Sequence, residues 1–106
     1  MRFGLTERHI EIILDCAGKF EEIERVVIFG SRSMGNYKKG SDVDLALKGL
    51  NVSQQIADKL RYELSEKTNL PYFFDVVCYN CLKNKSLIKH IDELGKDVNQ
   101  VYSLKD

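Results

Sequence analysis

Asp42 and Asp44 stand two residues apart at the head of an apolar run, Val43 to Leu47, and a Gly30-Ser31 pair lies a short polar loop upstream. On an extended strand alternate side chains share a face, so the two carboxylates point the same way with Cα atoms roughly 6.5 Å apart. Like charges on a half-buried face repel, and without a counter-ion one of them is driven toward protonation. A hard cation such as Mg²⁺, which takes carboxylate and phosphate oxygens together, removes that conflict. A third carboxylate, Asp75, interrupts the apolar run Phe73-Phe74-Asp75-Val76-Val77-Cys78, where an unpaired Asp is disfavoured and costly to bury. If the strand of Asp75 lies beside that of Asp42 and Asp44, the three carboxylates can hold two metal ions about 3.5–4 Å apart. That arrangement supports in-line displacement at phosphorus.

The residues that would position a phosphate precede the carboxylates. Arg25-Val26-Val27-Ile28-Phe29 reads as a buried strand, which Gly30 breaks. The missing Cβ at Gly30 lets an anion approach the main chain, Ser31 offers a hydroxyl and backbone N–H groups, and a short helix over Ser31 to Asn36 would aim its first amides the same way. A Gly-Ser turn alone is most often only a turn, and an Asp-x-Asp alone only a solvated edge. Their conjunction, each beside an apolar strand and followed by a strand aspartate, is far more specific.

Gly30-Ser31, ten intervening residues and Asp42-Val43-Asp44 resemble the signature of the DNA polymerase β-like nucleotidyltransferase superfamily. The fuller wording, Gly-Ser-Arg-x-x-Gly followed by Gly-Ser-Asp-x-Asp-Leu, is similar to its minimal nucleotidyltransferase (MNT) branch, and the resemblance runs from about Val26 to Gly95. It implies that Gly30 and Ser31 grip a triphosphate and that Asp42 and Asp44 ligate Mg²⁺. Asp75 would ligate one metal and help deprotonate the acceptor hydroxyl, with Arg32 as a phosphate or partner contact. The implied reaction is nucleotidyl transfer from ATP, with attack at the α-phosphorus and pyrophosphate leaving. It also implies a partner, a small helical HEPN toxin silenced by transfer of AMP to a tyrosine, so that the chain acts as antitoxin. Neutralisation of that partner by binding without catalysis is the alternative, and transfer to a small molecule a third.

The remaining residues form the scaffold. Thr6 caps an expected helix to about Ala17 with Gly18 as its stop, and Ser53 caps a second to about Lys67 with Ile56, Ala57, Leu60 and Leu64 as its buried stripe. A third is expected from about Ser86 to Lys96, with His90 on its surface, and the tail residues Val98, Val101, Tyr102 and Leu104 are expected to fray or to dock on a partner. This order implies an α/β (α+β) domain with a small mixed β-sheet flanked by helices, the nucleotidyltransferase fold of the resemblance. The strand-helix-strand unit from Val43 to Cys78 suits a crossover that places Asp75 beside Asp44.

At 106 residues and 43% hydrophobic, the chain is expected to form one domain, 1–106. Sixteen basic and sixteen acidic residues cancel, which removes the electropositive field that a grip on long nucleic acid needs. No segment approaches the roughly 20 apolar residues that span a bilayer. With no signal-like leader and an odd number of cysteines, three, the expected location is cytoplasmic. Cys78-Tyr79-Asn80-Cys81 has the wording of a redox or zinc motif, but Cys16, His9 and His90 are not at ligand spacing, so packing or surface thiols are expected.

Overall fold

The computed structural model describes residues 2–98. In chain order the elements are α1 (Glu7–Ala17), β1 (Arg25–Phe29), α2 (Ser31–Met34), β2 (Val43–Lys48), α3 (Gln54–Glu66), β3 (Phe74–Cys78), a 3₁₀ turn (Tyr79–Cys81), α4 (Lys85–Leu94) and β4 (Lys96–Asp97). Side-chain caps set the helix starts. Thr6 accepts the His9 N–H, Ser53 that of Ile56 and Asn84 that of Leu87, each satisfying an amide the first turn leaves open. The Asn84 cap starts α4 one residue before the expected Ser86. The helix expected over Ser31 to Asn36 stops at Met34, because Gly35 adopts φ +84° and donates its N–H to Ser31 O.

The four strands form one mixed sheet in the order β3-β2-β1-β4. β1 and β2 are antiparallel, whereas β2 and β3, joined through α3, are parallel. β4 was not expected: Lys96 and Asp97 add to the free edge of β1, and Val98 is buried in the core rather than frayed. Two residues are too short a run to show any periodicity. Val101, Tyr102 and Leu104 lie outside the described residues.

Strand alternation divides the core between the two faces of the sheet. Val26, Ile28, Val43, Leu45, Leu47, Val76 and Cys78 pack with residues of α1 and α3, such as Ile13, Leu60 and Leu64. The opposite face holds a smaller cluster, Val27, Phe29, Ala46 and Ile91, the last supplied by α4. Asp44 and Asp75 alternate in phase with Ala46 and Val77, and so belong to this second, less covered face.

Candidate active site

The register of the sheet brings the acidic residues together. Asp44 lies opposite Phe29 of β1 on one side and opposite Asp75 of β3 on the other. Paired residues of neighbouring strands point to the same face, so Asp44 and Asp75 emerge side by side. Asp42 stands just before β2 and is exposed, as is Asp75, while Asp44 between them is half-buried. The Asp44 carboxyl is pushed up from 3.8 to about 6, chiefly by burial and then by the charges of Asp75 and Asp42, against the smaller pull of His90 and Arg32.

Gly30 closes over this carboxylate. It adopts φ +76°, and a Cβ at this position would collide with the Asp44 carboxylate oxygen. Glycine is therefore needed both for its backbone and for its missing side chain. Its N–H donates to His90 Nε2 at 2.9 Å, and the His90 ring meets the edge of Phe29 at 6.0 Å between centroids. His90 is thus a part-buried tie between α4 and the glycine turn rather than the surface residue expected from sequence. The contact spans 60 positions, and no local pattern signals it. The only hint is the place of His90 beside Ile91, on the edge of the apolar stripe of α4.

With the Gly30 amide held by His90, the other first-turn amides of α2 and the Ser31 hydroxyl are the groups left for an anion. Arg32, expected as a phosphate or partner contact, is held by main-chain acceptors. It is 3% exposed, with Nε and Nη2 donating to Ser41 O at 3.2 and 2.8 Å and Nη1 to Phe3 O at 2.8 Å. The guanidinium also lies over the rings of Tyr37 and Tyr72, 5.4 and 5.0 Å from their centroids. These contacts tie it to the loop that leads to Asp42, and it also lines a cavity beside that loop. The cavity, of about 490 Å³, has Tyr37, Lys38, Lys39 and Tyr72 in its wall.

Among the described residues no three His, Cys, Asp or Glu side chains are gathered into a ready metal cage. The donor chemistry nevertheless fits Mg²⁺. All three candidate ligands are carboxylates, Asp44 and Asp75 share one face, and the charges of Asp75 and Asp42 help to raise the Asp44 carboxyl. Also among the described residues, no helix is long and apolar enough to cross a membrane.

The family model described as polymerase beta, nucleotidyltransferase matches residues 11–100. The chain belongs to that family. The superfamily resemblance carried by Gly30-Ser31 and Asp42-Val43-Asp44 is thereby borne out. No curated protein matches this nucleotidyltransferase, but solved structures do. A toxin–antitoxin structure with AMP-PNP matches at TM-score 0.69 and 20% identity, covering 95% of this chain and 83% of that one. The tri-AMPylated Shewanella oneidensis HEPN toxin in complex with MNT antitoxin matches at TM-score 0.67 and 17% identity, covering 94% and 79%. The toxin–antitoxin MntA-HepT matches at TM-score 0.66 and 16% identity, covering 93% and 79%. These likenesses establish that this nucleotidyltransferase has the expected α/β fold, with its small mixed sheet and flanking helices.

Proposed function

We propose that this nucleotidyltransferase transfers AMP from ATP to a hydroxyl of a HEPN toxin, with tyrosine as the acceptor, and so acts as its antitoxin in the cytoplasm. The observation that carries the proposal is the pairing of Asp44 with Asp75 under the Gly30 turn, with the Asp44 carboxyl pushed up to about 6 by burial and by its acidic neighbours. The likeness to an AMP-PNP complex and to a tri-AMPylated HEPN toxin with its MNT antitoxin supports the choice of nucleotide and partner.

Asp42, Asp44 and Asp75 would hold Mg²⁺, two ions in the full arrangement. Bound Mg²⁺ supplies charge neutralisation of the triphosphate and orients the phosphorus for in-line attack. The chain's residues do the rest. The Ser31 hydroxyl and the first-turn amides of α2 hydrogen-bond phosphate oxygens, while Gly30, lacking a Cβ, leaves the Asp44 carboxylate its room. Arg32 acts through the loop it braces, fixing Ser41 and with it the entry of Asp42. Asp75, the exposed member of the strand pair, accepts the proton of the attacking hydroxyl at its carboxylate oxygen. Oxygen attacks the α-phosphorus, and pyrophosphate departs.

Incubating the purified protein with a HEPN toxin offered as its partner, Mg²⁺ and α-labelled ATP tests the reading. The expected result is label on the HEPN chain, abolished by EDTA and reduced at least ~100-fold by Asp42→Asn. Absence of label, with nucleotide bound and the complex formed, would overturn catalysis in favour of neutralisation by binding.

A further inference from the structure

Cys78 ends β3, and Cys81 ends the 3₁₀ turn that follows it. The turn folds the chain back so that Cys81 Sγ lies 2.6 Å from Cys78 Sγ. This is well inside the ~3.5–4.0 Å at which nonbonded heavy atoms rest. The two thiols differ in access. Cys81 is exposed, whereas Cys78 is fully buried and donates to Val52 O at 3.4 Å. A zinc site needs further ligands, and among the described residues no group of three His, Cys, Asp or Glu side chains is placed to hold a metal.

From this contact and this asymmetry we propose that Cys78 and Cys81 are a thiol–disulfide modification site, which a low-molecular-weight disulfide such as glutathione disulfide oxidises to a reversible intrachain bond. Cys81, the accessible thiol, gives its proton to solvent, and its sulfur attacks one sulfur of the small disulfide. The bond between the two small sulfurs breaks, leaving a mixed disulfide on Cys81 and releasing one small thiolate, which takes up a proton. Cys78 then loses its proton, its sulfur attacks Cys81 Sγ, and the second small thiol departs. Two protein thiols are oxidised and one small disulfide is reduced to two thiols. Burial raises the Cys78 thiol, which keeps it protonated and unreactive toward solvent until the mixed disulfide forms beside it. The bond closes a loop with only Tyr79 and Asn80 between its ends, so loop entropy contributes little to holding it and reduction reverses it readily.

The test is to incubate the full chain with glutathione disulfide, quench in acid and read the mass, then alkylate under denaturing conditions. The wild-type chain should lose about 2 Da, with alkylation falling from three cysteines to Cys16 alone. Dithiothreitol should restore all three. Cys78→Ala should stop at the first step, carrying one glutathione of ~305 Da on Cys81. Cys81→Ser should leave Cys78 unmodified. The wild-type experiment needs no variant to fold, and cleavage after Tyr79 under non-reducing conditions must leave its two products joined. A wild-type chain that accumulates the glutathione adduct on Cys81, or remains fully reduced, would overturn the proposal.

Discussion

At the residue scale, Gly30 and Asp44 constrain one another. Gly30→Ala introduces a Cβ at φ +76° that collides with the Asp44 carboxylate, so strain and collision act together. We expect a loss of about 2–3 kcal/mol in denaturant unfolding and loss of label transfer. Gly35 has a similar φ of +84° but open space where its Cβ would be, so Gly35→Ala separates the two effects and should cost only about 1 kcal/mol. Equal costs for the two variants would contradict the close approach of Gly30 to Asp44. Asp44 also predicts a pH dependence. With its carboxyl raised from 3.8 to about 6, the folded chain holds a proton that the unfolded chain releases between those values. The contribution of this group is therefore fully present below about pH 4, falls as pH rises to about 6, and stays reduced above. Asp44→Asn should raise Tm at pH 7.5 by roughly 4–8 °C, corresponding to about 1 kcal/mol after solvent screening of a half-exposed group. The gain should vanish near pH 4, and an unchanged or lower Tm at pH 7.5 would contradict the placement of Asp44.

At the scale of elements, the loop between α2 and β2 depends on one buried guanidinium. Arg32→Ala removes the donors to Ser41 O and Phe3 O and leaves both carbonyls short of a partner. We expect about 3 kcal/mol of lost stability and faster proteolysis within residues 35–42, with Arg32→Lys only partly restoring either. Limited proteolysis of the three proteins measures this, and an unaltered loop in Arg32→Ala would count against the bracing role. What was legible in the sequence follows the range of the interaction. Thr6, Ser53 and Gly18 act on the residues beside them, and the bounds of α1 and α3 followed from them. The ties of Arg32 to Phe3 and of His90 to Gly30 span 29 and 60 positions, and depend on packing that no local pattern encodes. The thiol contact of Cys78 and Cys81 is local, but it depends on the chain forming a 3₁₀ turn directly after β3, which the residue types alone leave open.

At the scale of the whole molecule, topology brings two separated aspartates, Asp44 and Asp75, onto one face. The antiparallel turn from β1 to β2 sets Gly30 over Asp44, and the parallel return through α3 sets Asp75 beside it. The crossover expected between Val43 and Cys78 carries this result, because a parallel neighbour in register must share its outward face. The central claim, that this face holds the metal and the nucleotide, is tested most directly by adding Mn²⁺ with a non-hydrolysable ATP analogue to the isotopically labelled protein and recording paramagnetic broadening. The account predicts that amide signals of Gly30, Ser31, Asp42, Asp44 and Asp75 are lost first, and that Asp44→Asn abolishes the effect. Broadening centred elsewhere, or undiminished in Asp44→Asn, would contradict it.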